Sequence, residues 1–273
     1  MGILNVTPDS FSDGGDFFDP RAAIEHGRQL VDEGADILDV GGESTRPYSE
    51  PVSLREELDR VIPVIDVLAT ESNVPISIDT SKAKVAQEAL AAGAEIINDV
   101  TALTGDADML PVACDSKAGI CAMHMQGTPR TMQDNPTYAH VVDDIRDYLA
   151  ERHATLISAG IATARLCLDP GIGFGKTHEH NLTLLANCWQ FHSLGSPLLV
   201  GHSRKGFIAR VLGDKKADRT AATIGISLSL AAQGVQILRV HDVRATADAL
   251  RLYGATGGIG PANAAVWPAE QRR

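Results

Sequence analysis

Three stretches of this chain repeat one shape. EGADILDV (33–40), AGAEIINDV (92–100) and QGVQILRVHDV (233–243) each pass from a glycine through a short apolar run into polar residues. A glycine there suits the left-handed cap that ends a helix. The apolar run suits a strand of a parallel sheet, which is covered on both faces. KAGICAMHM (117–125) and AGIATARLCLD (159–169) are looser copies. Strands that alternate with helices build β/α units.

Eight strands are predicted: 1–5, 37–41, 75–79, 96–99, 120–124, 166–169, 198–201 and 237–241. Helices are predicted between them, at roughly 21–33, 54–70, 82–92, 106–115, 140–159, 180–192, 207–233 with breaks, and 243–253. Eight such units in 273 residues fit the α/β class as a single (β/α)8 TIM barrel. A doubly wound open sheet is the alternative. The barrel is expected over residues 1–255 with no internal boundary. The tail 256–273, Gly/Ala/Pro-rich at first, is expected to leave it.

The composition narrows the function. A formal net charge of −11 argues against nucleic acid, whose phosphates need a basic footprint. No apolar run approaches the ~18 residues of a membrane span. The start, MGILNVTPD, lacks the basic region of a signal peptide. Val6 stands where a myristoylation signal needs Ser or Thr. Cys114, Cys121, Cys167 and Cys188 form no C-x-x-C and are expected to be buried, reduced thiols of a cytoplasmic protein.

A TIM barrel works at the C-terminal ends of its strands. Those ends read, in order, Asn5, then GGESTRP (41–47), Asp79, Asn98-Asp99, Met123-His124, Asp169, GHSRK (201–205), and Arg239 with His241. A single Asp at such a place is often a helix cap; eight polar ends in phase are not explained that way. Asp79, Asn98 and Asp169 suit a flat heterocycle with an amino-pyrimidine edge, because a carboxylate accepts N–H bonds and an amide both gives and accepts. Asn5, Arg46, Arg239 and His241 suit an anion such as a diphosphate. DPGIGFGKT (169–177) imitates a phosphate-binding loop, but Pro170 occupies the place of its first glycine.

NVTPDSFSDGG, ESTRP, SIDT, DPGIGFGK, SRK and RVHD occur here in the order and spacing of one family. From Met1 to about Tyr253 the chain resembles dihydropteroate synthase, the folate-pathway transferase that sulfonamide drugs inhibit. The resemblance implies a (β/α)8 barrel that joins 6-hydroxymethyl-7,8-dihydropterin diphosphate to 4-aminobenzoate, giving 7,8-dihydropteroate and pyrophosphate. It implies that Asp79, Asn98, Met123, Asp169 and Lys205 bind the pterin. Asn5, Arg46, Arg239 and His241 would hold the diphosphate, with Asn5 also on Mg²⁺. Phe11, Thr45, Pro47, Phe174, Lys205 and Gly206 would face aminobenzoate. Asp13, Lys205, Arg239 and His241 would take part in the chemistry, and a homodimer is implied.

This sequence departs from the family pattern in three places. Gly206 stands where serine commonly follows SRK, and Tyr48 where glycine usually follows STRP. Strand 1 begins at Met1, whereas family members usually carry a β-hairpin before it. Two other functions fit less of the pattern: a non-catalytic paralogue that binds pterin diphosphate, and a methyltetrahydrofolate–corrinoid methyltransferase. Four features are read as structural. Lys176 is taken as a solvated surface lysine, and Glu56 with Glu57 as a solvated helix face. Ser203 is read as a turn residue. His178 and His180 lack the third ligand a metal site needs.

Overall fold

The computed structural model describes residues 1–7 and 20–258. Six parallel strands pair in chain order: β1 (Gly2–Asn5), β2 (Leu38–Gly41), β3 (Ile76–Asp79), β4 (Ile96–Asp99), β5 (Gly119–Met123) and β6 (Leu166–Asp169). The short strands β7 (Leu199–Val200) and β8 (Ile237–Leu238) pair with each other. Two bridges join these sets into a ring. Leu168 pairs with Leu198, and Gly2 pairs with Val240. At the second seam Ile3 N–H donates to Val240 O and Val240 N–H donates to Met1 O, both at 3.0 Å. The ring is the expected TIM barrel, not an open sheet.

The strands are apolar on one phase and polar on the other. Leu4, Leu38, Val40, Ile78, Ile97, Ala122 and Leu168 are wholly buried and join the hydrophobic cluster with the helices. The opposite phase carries Asp39, Ser77, Asn98, Cys121 and Asp169, all buried, toward the barrel interior. The outer phase therefore supplies the hydrophobic core that fastens the helices. The inner phase is left for polar chemistry.

The helices are α1 (Pro20–Asp32), α2 (Leu54–Glu71), α3 (Ala83–Ala91), α4 (Met109–Asp115), α5 (Val141–Ser158), α6 (His178–Ala186), α7 (Gly206–Leu212), α8 (Thr220–Ala232) and α9 (Val243–Ala255). Ser53 caps α2 by accepting from Glu56 N–H at 3.2 Å. The helix expected over 180–192 divides into α6 and the 3-10 helix Cys188–Leu194. The one expected over 207–233 divides into α7 and α8, because Gly213 caps α7 in the left-handed region.

Candidate active site

The inward phase brings most of the expected residues to one rim. In register, Asn5 pairs with Gly41, Gly41 with Asp79, and Asp79 with Asn98. Met123 pairs with Asp169 on the far side of the ring. Arg239 and His241 follow β8 on the same alternation. Phe11 and Asp13 lie outside the described residues.

Arg239 is the hub of the mouth. Its Nε donates to Asp39 and a terminal nitrogen donates to Asp79 Oδ2 at 2.8 Å. Asn98 Nδ2 reaches both Asp39 oxygens at 3.3 Å. Sequence reasoning passes over Asp39, which is completely buried. Its signal was its phase: it stands two residues before Gly41, a carboxylate on the side that strand alternation sends inward. Burial pushes the Asp79 carboxyl up to about 7, although the charge of Arg239 opposes this. Burial also raises Asp169, whose Oδ1 accepts from Gly171 N–H at 2.7 Å.

The loop after β6 closes one wall. Gly171 and Gly175 have φ of +69° and +63°, a region that side chains disfavour. A Cβ at Gly171 would fall into the carbonyl oxygen of His124, and one at Gly175 would lie 2.5 Å from that of Gln126. The glycines thus let this loop lie backbone to backbone on the segment after β5. Lys205 donates to Ile172 O and sits 4.5 Å over the ring of Phe174. Burial lowers the Lys205 amine to about 8.

Three readings made from sequence are corrected here. Lys176 is buried, not solvated, because its amine finds acceptors on His124 and Phe174. Glu56 is exposed as expected, but Glu57 is fully buried. Glu57 accepts from Thr80 Oγ1 at 2.6 Å and pairs with Lys82. Ser203 lies in a turn as expected, and its hydroxyl is 3.0 Å from His241 Nδ1. No carboxylate completes a hydrolytic triad there among the described contacts; the hydroxyl orients the ring. Cys121 and Cys188 are buried as expected, whereas Cys114 and Cys167 are partly exposed. His178 and His180 stand apart from any metal cluster among the described residues. His180 instead completes a capping box with Thr177.

On the opposite wall Thr45 is half-buried, while Arg46, Pro47 and Tyr48 are exposed. Tyr48 adopts φ +63°, which accounts for the glycine usual at this place. It reaches across to the β5 loop, with its N–H on Pro129 O and its hydroxyl on Asp134, both at 3.1 Å. Gly206 opens α7 with open space where a Cβ would stand.

Comparison with known proteins shows the family. The sequence profile of the pterin-binding enzymes matches residues 1–241. The dihydropteroate synthase of Escherichia coli strain K12 is 46% identical over 256 residues, covering 94% of this chain and 90% of that protein. The chain belongs to the pterin-binding enzyme family, among its dihydropteroate synthases.

Two crystal structures of the Xanthomonas albilineans dihydropteroate synthase place that family on this fold. The one with 4-aminobenzoic acid is 45% identical, with a TM-score of 0.87, covering 93% of this chain and 91% of that one. The one in complex with 7,8-dihydropteroate is 43% identical, with a TM-score of 0.84, covering 93% and 92%. Within a dihydropteroate synthase, the mouth has an acidic and amide side at Asp39, Asp79, Asn98 and Asp169. A cationic side holds Lys205, Arg239 and, on the exposed loop, Arg46. His241 feels the positive charges of Arg204, Arg239 and Arg46. Burial is the larger cause, and together they lower its pKa to about 4, so it is neutral at neutral pH.

Proposed function

We infer that this enzyme joins 6-hydroxymethyl-7,8-dihydropterin diphosphate to 4-aminobenzoate, releasing pyrophosphate and forming 7,8-dihydropteroate. The observation that carries the reading is the Arg239 hub, which sets a carboxylate and amide surface directly beside cations. Such a mouth suits a substrate with an amino-pyrimidine at one end and phosphates at the other.

In this reading Asp79, Asn98 and Asp169 hold the pterin edge, with Met123 and Lys205 beside it. Asn5, Arg46, Arg239 and His241 hold the diphosphate. The C–O bond to pyrophosphate breaks, the C–N bond to the amine forms, and the amine gives up a proton. Most of the catalysis is stabilisation of the departing anion by cations and N–H donors already in place. Lys205, Arg239, His241 and Asp13 are the residues proposed to act at the reacting atoms. Phe11, Thr45, Pro47, Phe174, Lys205 and Gly206 frame aminobenzoate, whose carboxylate suits the N-terminal end of α7.

Mg²⁺ fits this site as a substrate-borne ion. It prefers oxygen and keeps water and phosphate ligands, taking only one or two from the protein. The described residues form no cluster of three or more His, Cys, Asp or Glu able to hold a metal alone. Asn5, at the end of β1, offers an amide oxygen. When bound, the ion would neutralise charge on the leaving diphosphate.

We place the barrel at 1–255 in the cytoplasm; no helix among the described residues is long and apolar enough to cross a membrane. A homodimer is also proposed. Helix α8 has thirteen residues without a charge and leaves Ala221, Gly225 and Ser229 exposed, an outer face suited to a second copy. Light scattering tests that. The function is tested by measuring pyrophosphate with pterin diphosphate, Mg²⁺ and aminobenzoate, each omitted in turn. Release that needs all three, with equal dihydropteroate, supports the reading. Tight binding of pterin diphosphate without release would make the chain a binding protein.

A further inference from the structure

The loop after β6 is held in an unusual way. Four consecutive carbonyls, those of Ile172, Gly173, Phe174 and Gly175, each accept a hydrogen bond from a different side chain. The donors are Lys205, Gln133, Lys176 and Tyr138. Gly173 N–H is also satisfied, by Asn181 Oδ1 at 2.6 Å. Three of these donors come from other segments. Lys176 alone belongs to the loop and turns back on it.

The side-chain nitrogen of Lys176 has three acceptors nearby. They are Phe174 O at 2.9 Å, His124 Nδ1 at 2.9 Å and His124 O at 3.4 Å. Lys176 is 2% exposed, so water does not replace these bonds. His124 follows Met123 at the end of β5, and Phe174 carries the ring that Lys205 covers. The imidazole is itself held, edge to face, by Tyr148 with ring centres 4.8 Å apart. Burial and the neighbouring amine keep this histidine neutral, with its pKa down at about 3, so Nδ1 can accept. Burial lowers the Lys176 pKa well below its ordinary value, and the charge of Asp169 opposes this only in part.

We propose that Lys176 is a positioning residue for the second substrate. It pins the Phe174 backbone to the end of β5 and so sets the ring against which aminobenzoate packs. Asp79, Asn98 and Asp169, which hold the pterin edge, come from the strand ends themselves and make no hydrogen bond to Lys176. The proposal rests on the functional reading above, so its test has one arm that needs turnover and one that does not.

Lys176→Met keeps the apolar stem and removes the three bonds. The expected result is a KM for 4-aminobenzoate raised about tenfold or more, the size of leaving one buried acceptor unpaired. kcat should stay within about threefold, and the Kd of pterin diphosphate by calorimetry within about twofold, each below ~1 kcal/mol. In hydrogen–deuterium exchange, residues 170–177 should exchange faster while β1 to β4 do not change. His124→Leu should reproduce both effects. His124→Asn puts an amide oxygen near the place of Nδ1 and should restore most of the wild-type KM. If Lys176→Met does not fold, His124→Leu carries the test in smaller measure, since it keeps the lysine and removes one of its three acceptors. Unchanged exchange at 170–177 would overturn the pin. A parallel loss of pterin diphosphate and aminobenzoate binding would show a merely structural lysine. An enzyme without turnover would sink the functional reading, and the exchange arm would still decide the pin.

Discussion

Two of the loops at the mouth of this barrel, those after β6 and β2, are built in opposite ways. The loop after β6 is short, rests on another backbone, and has a side-chain donor for each of four successive carbonyls. The loop after β2 is exposed from Arg46 to Tyr48. It is clasped at its base by Glu43, which accepts from Val52 N–H at 3.2 Å and pairs with Lys82. Tyr48 ties its tip to the β5 loop through the contacts with Pro129 and Asp134. A segment with few buried contacts opens locally at little cost, and one with every group paired does not. The β6 side is therefore a ready-made wall, and the β2 side is where substrate entry is cheap.

The contrast is broken most severely at the hub beneath the rigid wall. Arg239→Met strands the buried carboxylate of Asp39, and loss of a buried partner costs roughly 3–5 kcal/mol. Denaturant melts should show that loss, and pyrophosphate release should fall by a factor on the order of 10³. Adding Asp39→Asn should recover much of the stability but none of the turnover. Recovery of both would mean that Arg239 is structural only.

Acid should loosen the rigid side next. His202 is fully buried, with Nε2 2.9 Å from Ser227 Oγ, and burial lowers its pKa to about 4. A folded pKa below the unfolded ~6.5 means that the neutral ring stabilises the fold above that pH. That contribution is lost as pH falls through the folded value, and for His202 it amounts to roughly 3 kcal/mol. His124 and His241 act in the same direction. Asp79 acts oppositely: its folded pKa is raised to about 7, so its contribution is present below ~3.9 and lost as pH rises through 7. Urea midpoints should fall as pH drops from 6.5 to 4, and His202→Gln should make that fall smaller. A flat wild-type profile would contradict the neutral, buried histidines.

The loose side is probed more gently. Tyr48→Gly removes a left-handed backbone cost of about 1–2 kcal/mol and the bond to Asp134. Stability should rise slightly, while the aminobenzoate KM rises about threefold, worth one modest hydrogen bond. Pterin diphosphate binding should not move; a change there would mean that the two sides are coupled. The smallest effect is expected from Gly206→Ser, whose Cβ meets open space. Thermal melting should be unchanged, and the aminobenzoate KM should fall about two- to threefold if the hydroxyl finds the carboxylate. No fall would place that carboxylate elsewhere.

Much of this was legible from local pattern. The eight strands follow from the glycine, apolar run and polar end repeated along the chain. Asp79, Asn98, Asp169 and Arg239 reach one rim because side-chain direction along a strand alternates with a period of two. Charge was the misleading signal. Lys176 and Glu57 read as surface residues because isolated charges stay in water, and here each is buried with partners. The partner of Lys176 is 52 residues away and that of Glu57 is 25 residues away. Asp39 was missed for the same reason, since its arginine lies 200 residues on.

Local sequence thus determined the order of strands and helices, the phase of each strand and the family to which the chain belongs. Each depends on neighbours in the chain and on residue types at set spacings. Only the closed barrel decided which charges could leave water. It brings Arg239 onto Asp39, His241 onto Ser203 and Lys176 onto His124, and a buried charge survives only where such partners meet it.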